Sequence, residues 1–279
     1  RCLTWSGYAV TFVSNITDID DKIIGRALDE GRVWREIVER CEAQWYRGMD
    51  ALGIDRPDAD PHATAYVDQM VALIERLVVA GAAYETSDGV YLEVARVDDY
   101  GLLAGQPLDS LRAGARIEAN EEKRSPLDFV LWKKAKPNEP SWPSPWGDGR
   151  PGWHTECVIM SLALLGEGFD IHGGGQDLRF PQHENERAQA VADGRRFASL
   201  WFHTGMLEID GEKMSKSLGN VRNVLDLLEH YDPRAYRLLV LRSHYRSPMD
   251  VTDEALRDTE AALERLDSLH RRIGDAAAG

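Results

Sequence analysis

The sequence is poor in cysteine, in long apolar runs and in net positive charge. Its three cysteines, Cys2, Cys41 and Cys157, are sparse and far apart, which excludes a disulfide framework and makes a reducing cytoplasm the expected compartment. The absence of any run of about eighteen apolar residues excludes a membrane-spanning helix, and the start shows no signal-peptide pattern. The net charge of -14 over 279 residues argues against a protein that coats nucleic acid non-specifically.

One stretch of the chain reverses this acidic balance. Between residues 213 and 246 the basic side chains outnumber the acidic ones. The basic residues are Lys213, Lys216, Arg222, Arg234, Arg237, Arg242 and Arg246. Two interpretations stay open: a polyanion bound at this one place, or an ordinary helix surface of mixed charge.

The first part of the chain is predicted to be a strand followed by helices. Residues 8–13 have the composition of a β-strand, residues from 20 to about 52 favour a helix, and residues from about 63 to 80 favour another. A segment rich in Pro and Asp at 57–61 separates the two helical stretches and marks a boundary.

Strand, glycine and helix signals follow one another again further along. Residues 89–94 alternate as strands do, and residues 168–172 are predicted to be a buried strand that leads into the glycines at 173–175. A helix is predicted from about 181 to 193, ended by Gly194. A strand, a glycine loop and a helix in this order can receive a nucleotide in a parallel α/β sheet, although an ordinary turn is the alternative.

Residues 211–220 form a Gly- and Ser-rich segment without a regular apolar period, which is typical of a mobile loop. Lys213 and Lys216 lie three positions apart in it. A loop that brings two ammonium groups onto one spot suits a polyphosphate whose charge builds up during a reaction. A loop that is merely solvated is the alternative.

The string Lys213-Met214-Ser215-Lys216-Ser217 resembles the second signature of class I aminoacyl-tRNA synthetases. Further segments, in the same order and at the same spacing along essentially the whole chain, resemble one family of that class, the cysteinyl-tRNA synthetases. These segments are 15–22, 128–133, 149–157, 169–175, 183–186 and 201–205. The resemblance implies an enzyme that joins L-cysteine to tRNA(Cys) through a cysteinyl-adenylate, with ATP and magnesium as substrate and no membrane partner.

The same resemblance implies a fold and its division into domains. The fold would be α/β, a class I synthetase Rossmann-like nucleotide-binding fold interrupted by a connective insertion and followed by the start of an α-helical bundle. The expected order is part of the catalytic domain at 1–56, the insertion at 57–146, the second catalytic half at 147–200, the lysine-loop and stem-contact region at 201–246, and the start of the C-terminal helical domain at 247–279. Helices are predicted from residue 224 onward.

The resemblance also implies a zinc ion, because cysteine differs from serine by one atom and zinc prefers thiolate to hydroxyl. The family holds the ion with cysteine, histidine and glutamate side chains, and Cys157 and Glu186 match two of those positions. The family's histidine position is Gln182 here, and His183 is one residue further along. On a helix, positions 182 and 186 share a face and 183 nearly does. Three alternatives stay open: His183 replaces the ligand, Gln182 donates a carbonyl, or zinc is bound weakly or not at all.

The remaining candidate site residues follow from the same resemblance. Lys216 would contact the phosphates in the transition state, while Lys213 supports its loop. The expected nucleotide and amino-acid site is formed by Gly173, Gly174 and Gly175 facing adenosine, Asp177 at the ribose, Thr17 and Trp153 at the amino acid, and His203 as a polar pocket residue or a structural histidine. The acidic residues Asp18, Asp20 and Asp21 are interpreted as the N-terminus of a helix and not as a metal site.

The first signature of the class, a His-x-Gly-His string, does not occur in this sequence. We therefore expect an N- and C-terminally incomplete chain, inactive by itself, from an active parent protein. Two other functions compete with this interpretation. One is a cysteine ligase of mycothiol biosynthesis, which shares the fold, the zinc and a lysine loop. The other is a non-catalytic synthetase-like module, which Gln182 and the missing signature favour.

Overall fold

The computed structural model describes residues 1–105, 122–209, 212–213 and 223–278, with the backbone alone at 212, 213 and 278. The chain divides into two compact units, each described here by itself. The first unit consists of Arg1–Val38, Pro57–Gly173 and Leu178–Phe202, and the second of Glu39–Arg56, Gly174–Asp177 and His203–Gly279. Within the described ranges no helix is both long enough and apolar enough to cross a membrane.

A four-stranded antiparallel sheet lies at the centre of the first unit. Its strands are β1 (Ala83–Glu85), β2 (Gly89–Leu92), β3 (Phe129–Lys134) and β4 (Gly149–Pro151), paired in that order. Every residue of β2 is buried, so the strand predicted at 89–94 is confirmed over its first four residues.

A long helix packs against this sheet. Residues 63–79 form a 3₁₀ turn, Ala63–Tyr66, that continues into α4 (Val67–Val79), as the apolar spacing predicted. Its apolar face, which includes Met70, Leu73 and Leu77, is fully buried in the main core. This packing, more than helix propensity, stabilises the element.

Before residue 63 the chain forms three α-helices, α1 (Cys2–Trp5), α2 (Asp21–Glu30) and α3 (Trp34–Ala51). The single helix predicted over 20–52 is therefore wrong in one respect. Gly31 adopts the left-handed conformation, with φ of 62°, and ends α2 as a C-terminal glycine often does. The chain then restarts as α3.

The strand predicted at 8–13 is also wrong. Those residues run on from α1, and among the described residues the segment makes only isolated parallel bridges, from Val13 to Ala59 and from Ile16 to His62. Phe12 illustrates the reason, since its N–H donates to the Asp58 side chain and its carbonyl accepts from the N–H groups of both Asp58 and Ala59. A regular strand needs a ladder of paired residues along its length.

The elements around the candidate site follow the sheet. They are α5 (Trp153–Leu165), β5 (Ile171–Gly175), α6 (Glu184–Ala192) and β6 (Leu200–Thr204), with β5 paired to β6. The strand predicted at 168–172 begins later than expected, because Gly168 has φ of 66° and lies in a turn. Ile171 is 46% exposed, so the prediction of a buried strand is wrong there.

The helix predicted at 181–193 is confirmed in its second part. Residues Arg179–His183 form a wider turn, and α6 begins after it. The helix ends before Gly194, whose φ is 71°, as the sequence predicted. Helices α5 and α6 pack against each other and position the side chains described below.

The described part of the second unit contains a small mixed sheet, the residues of α3 from Glu39 onward and three further helices. The strands β7 (Leu207–Ile209), β8 (Glu212–Lys213) and β9 (Met249–Asp250) lie in the order β8-β7-β9. The helices are α7 (Val224–Leu228), α8 (Pro233–Arg242) and α9 (Asp253–Ala278). The helices predicted from 224 onward are confirmed, with β9 as an interruption, and α8 packs against α9.

Candidate metal and amino-acid site

Glu186, in the first turn of α6, is the centre of the buried polar cluster in the first unit. It is 1% exposed. Its Oε1 accepts a hydrogen bond from Gln182 Nε2 at 2.8 Å. Its Oε2 lies 2.8 Å from His172 Nε2, although the ring N–H is not aligned with it, so this oxygen has no hydrogen-bond partner among the described residues. The two carboxylate oxygens thus face different groups.

Cys157 lies on the Oε1 side of this carboxylate. Its Sγ, on α5, accepts weak hydrogen bonds from Gln182 Nε2 at 3.9 Å and from Asn15 Nδ2 at 3.7 Å. Burial raises the pKa of the Cys157 thiol well above its ordinary value, and the neighbouring carboxylates of Glu186 and Glu156 raise it further. The sulfur is therefore a neutral thiol until a cation comes within reach.

Two histidines lie on the Oε2 side. Ligand atoms of His172, His183 and Glu186 all lie within 4.8 Å of one another. The two imidazole rings meet edge to face, with centroids 4.6 Å apart. Burial tends to raise the pKa of Glu186, but the contacts with His172, His183 and Gln182 outweigh this effect and lower it. The carboxylate is thus held as an anion.

Aromatic rings close this side of the cluster. The centroid of Trp201 lies 5.0 Å from that of His172 and 5.3 Å from that of His183. Phe169 and Phe197 also contact the His172 ring. An apolar wall of this kind excludes water and strengthens the interaction of any bound cation with the carboxylate.

The donor set fits a zinc ion. It offers sulfur, imidazole nitrogen and carboxylate oxygen, the three ligand types that zinc takes in proteins. Two buried oxygens, Oε2 of Glu186 and Oε1 of Gln182, have no hydrogen-bond partner within the described part of the chain. Buried polar atoms without a partner are uncommon in native proteins and require an explanation, and a bound cation is one.

A cavity of about 600 Å³ opens in the first unit beside this cluster, and Trp153, His154, Glu156 and Asn185 are among the residues that line it. Trp153 is 48% exposed. Thr17 lies beside the Glu156 carboxyl, whose pKa is raised well above its ordinary value, mainly by burial. Thr17 and Trp153, both predicted at the amino-acid site, thus lie at or next to this cavity.

The other predicted residues are distributed as follows. Gly173 ends the first unit's part of β5, and Gly174, Gly175, Asp177 and His203 belong to the second unit. There a Cβ atom at Gly175 would lie 2.6 Å from Asp177 Oδ1, so a larger residue would require the Asp177 carboxylate to shift.

Of the two predicted lysines, Lys213 lies within the described residues, through its backbone alone. The backbone of Lys213 pairs with Glu208 across β7 and β8. Lys216 lies outside the described residues.

Sequence reasoning missed three residues of this cluster. His172 was noted only as part of a matching segment, and neither Asn15 nor Glu156 was singled out, although all three contact predicted site residues. One signal was available for His172: it stands directly before the glycines 173–175, at the end of a strand where ligands commonly bind.

Comparison with known proteins identifies the family to which the chain belongs. The family model described as "tRNA synthetases class I (C) catalytic domain" matches residues 1–261. The chain is 52% identical over 280 residues to the cysteine--tRNA ligase of Thermodesulfovibrio yellowstonii, covering 99% of this chain and 58% of that protein. It is also 52% identical over 280 residues to that of Dechloromonas aromatica, covering 100% of this chain and 61% of the relative. The chain therefore spans about three fifths of the length of these relatives.

A solved structure supports the fold. The chain resembles Mycobacterium tuberculosis methionyl-tRNA synthetase in complex with methionyl-adenylate, with a TM-score of 0.70 and 18% identity, over 92% of this chain and 61% of that one. At this identity the likeness concerns the fold alone. Together with the family match it confirms the predicted α/β fold class.

Proposed function

Because the chain belongs to the class I tRNA synthetase family whose catalytic-domain model matches it over residues 1–261, we propose that the whole protein attaches L-cysteine to tRNA(Cys), using ATP, in the cytoplasm. The structural observation that carries this proposal is the position of Cys157 beside Glu186, both in contact with Gln182 in the buried cluster. The names of the similar proteins support cysteine as the amino acid.

The metal centre is the proposed basis of selectivity. Cys157, Glu186 and His183 would hold one zinc ion, and the bound ion would supply a preference for the thiolate of cysteine over the hydroxyl of serine. The protein side chains keep the site dry and anionic: the aromatic wall excludes water, and Glu186 stays ionised beside the two histidines. Thr17 and Trp153 would orient the amino acid at the cavity.

In the proposed reaction the carboxylate of cysteine attacks the α-phosphate of ATP, which is bound with magnesium, and pyrophosphate leaves. Positioning and charge stabilisation supply most of the catalysis in such transfers. Lys216 would meet the charge that develops on the leaving pyrophosphate, and Lys213 would support the loop. Gly173, Gly174 and Gly175 would face adenosine, Asp177 would bind the ribose hydroxyls, and His203 would complete the pocket.

The domain order inferred from the sequence belongs to the same proposal: a catalytic domain at 1–56 and 147–200, an insertion at 57–146, a stem-contact region at 201–246 and a helical domain from 247.

Of the two competing functions, only the non-catalytic module has a specific observation in its favour, which is Gln182 at a ligand position. The cysteine ligase of mycothiol biosynthesis has no such observation, and the names of the similar proteins favour the tRNA enzyme.

Replacing Lys216 by alanine in the whole protein tests the proposed chemistry. We expect the rate of cysteine-dependent ATP–pyrophosphate exchange to fall by about 10²–10³, the usual cost of losing one donor to transition-state charge. Cysteine binding should change little, because the charge develops mainly in the transition state. Lys136→Ala, which removes an exposed lysine, is the control. An exchange rate in Lys216→Ala equal to that of the control would contradict the assignment.

A further inference from the structure

We propose that the segment of residues 98–105 fixes the first turn of α6, and that Tyr100 and Asn185 are positioning residues of the amino-acid site. The hydroxyl of Tyr100 donates a hydrogen bond to Asn185 Oδ1 at 2.6 Å, and Asn185 directly precedes Glu186 in α6. The inference rests on the proposed function for the identity of the substrate. It adds two residues that act on the site through others.

Four side chains at 179–187 bind residues that lie 75 to 88 positions earlier in the chain. Glu184 Oε2 accepts a hydrogen bond from the backbone N–H of Ala104 at 2.9 Å. The guanidinium of Arg187 pairs with the carboxylate of Asp99. The other contacts are the bond between Tyr100 and Asn185 and the bonds from Arg179 to the carbonyls of Leu103 and Ala104, at 2.7 and 2.9 Å.

The first turn of α6 contacts different parts of the first unit through neighbouring residues. Asn185 and Arg187 bind the 98–105 segment, whereas Glu186, between them, faces Gln182 and the two histidines of the buried cluster. Successive residues of a helix point about 100° apart, so adjacent side chains reach different partners. A shift of the 98–105 segment would therefore move the Glu186 carboxylate with it.

These contacts are polar although they are buried. Glu184 is 0% exposed, Asn185 2% and Tyr100 6%. Burying polar and charged groups costs free energy that their bonds to one another return only in part. Hydrogen bonds also weaken steeply when they are misaligned, whereas apolar contacts are non-directional. The network therefore contributes a defined position of α6 more than it contributes stability.

The same contacts form part of the wall of the cavity beside the cluster. Tyr100, Asn185 and Phe180 are among the residues that line it, and the rings of Tyr100 and Phe180 meet edge to face with centroids 6.5 Å apart. Burial, above all, raises the pKa of Tyr100 above its ordinary value, so its hydroxyl remains a donor to Asn185. The shape of the cavity and the direction of the Glu186 carboxylate thus depend on the same contact.

Tyr100→Phe in the whole protein removes the hydroxyl and keeps the ring. We expect the KM for cysteine in ATP–pyrophosphate exchange to rise roughly 10-fold, and zinc affinity in a chelator competition to fall roughly 10-fold, at the lower end of the range for outer partners of a metal site. The KM for ATP should not change. Tyr84→Phe is the matched control, because it also removes a hydroxyl that donates to a buried side chain, Asp128, at 2.7 Å, and Tyr84 lies outside the lining of the cavity.

A double-mutant cycle with Asn185→Ala tests whether the two residues act through their shared bond. The combined variant should bind zinc no more weakly than Asn185→Ala alone, since the effects of residues joined in one network are not additive. Additive losses would overturn the inference. Urea denaturation should give similar losses of stability for Tyr100→Phe and Tyr84→Phe, so a general loss of structure would not account for a difference between them.

The inference and the proposed function fail in different ways. A parent protein without cysteine-dependent exchange would contradict the proposed function, and the zinc affinities of the variants would still decide the positioning role. A parent protein with normal exchange would contradict the inference alone if its Tyr100→Phe variant had the same KM for cysteine and the same zinc affinity as Tyr84→Phe.

Discussion

At the scale of single residues, Gln182 determines how the buried cluster is arranged. Its Nε2 donates to Glu186 Oε1, while its own Oε1 is buried and lacks a hydrogen-bond partner among the described residues. Leaving a buried acceptor unpaired costs about 1–3 kcal/mol. Because Gln182 destabilises the apoprotein in this way, its substitution is expected to have a large effect on the properties of the cluster.

We expect Gln182→His to raise the affinity of the protein for zinc by about 10–100-fold, the range through which even outer partners change metal affinity. The reason is that imidazole is a far better zinc ligand than a neutral amide, and position 182 lies about one helical turn from Glu186. Discrimination against serine should improve with it. Chelator competition measures the first quantity and serine-dependent ATP–pyrophosphate exchange the second.

The control for this substitution is Gln176→His, which adds an imidazole at an exposed position. It should leave zinc affinity unchanged. If Gln182→His behaves in the same way, or if the parent protein is fully active without zinc, then selectivity does not depend on a metal at this site.

At the scale of secondary-structure elements, the acidic run before α2 has structural roles. Asp20 is the N-cap, and its Oδ1 accepts a hydrogen bond from Ile23 N at 2.7 Å. Asp18 accepts bonds from the backbone and hydroxyl of Thr64 at 2.9 Å and 2.5 Å. The interpretation of this run as a helix N-terminus is confirmed for Asp20 and Asp21, whereas Asp18 bonds to Thr64 in the 3₁₀ turn before α4. Its carboxylates satisfy backbone donors that the first turn of a helix leaves unpaired.

Asp20→Ala should lower the free energy of unfolding by about 1 kcal/mol, the usual effect of removing an aspartate N-cap. Urea denaturation measures this change. Asp29→Ala, in the last turn of the same helix, is the control and should be neutral or slightly stabilising, because an acidic residue near a helix C-terminus opposes the dipole. Equal effects of the two substitutions would mean that the cap contributes nothing.

Asp21 links the first turn of α2 to the sheet and gives a pH-dependent prediction. Its carboxylate pairs with Lys133 at 2.9 Å and with Arg150. Burial alone would raise its pKa, but these two cations outweigh burial and lower it. A lowered pKa in the folded state stabilises the protein above the ordinary aspartate pKa of about 3.9. This stabilisation is lost as the pH falls through the folded-state value.

We therefore expect Asp21→Asn to destabilise the protein at pH 7 by less than about 1 kcal/mol, because the carboxylate is largely exposed and solvent screens the pairs. The difference between parent and variant should shrink as the pH falls below about 4. Urea denaturation at several pH values checks this. A difference that stays constant down to pH 3 would show that the ion pairs are not its cause.

Elements set by local chemistry could be predicted from the sequence, and those set by distant partners could not. Gly194 was predicted to end α6 because a left-handed glycine there is a local requirement. The proximity of positions 182 and 186 followed from helical spacing, although the regular helix begins only at Glu184. The contact of His172 with Glu186 joins a strand to a helix across 14 positions of the chain, and no periodicity encodes it.

At the scale of the whole molecule, the net charge of -14 contrasts with the arginines of the second unit. Two of these have structural partners: Arg234 pairs with Asp232 and Asp267, and Arg237 donates to the backbone carbonyls of Leu52 and Gly53. Arg242 and Arg246 are exposed as well, and neither forms an ion pair with a carboxylate of the described residues. The two interpretations of the basic stretch therefore apply to different residues. Arg234 and Arg237 already have partners within the chain, and Arg242 and Arg246 are suited to a polyanion.

If the proposed function holds, Arg242→Ala and Arg246→Ala combined should weaken tRNA binding by the whole protein and reduce the salt dependence of the binding constant. Removing one arginine that binds a phosphate should lower the slope of log K against log[salt] by about 1, so the double variant should show a decrease of about 2. Arg234→Ala is the matched control, because its guanidinium is already paired with two carboxylates and its removal should leave the slope unchanged. Filter-binding titrations between about 50 and 200 mM salt measure this slope. A slope that falls equally in the control, or that does not change in the double variant, would mean that the polyanion binds elsewhere on the protein.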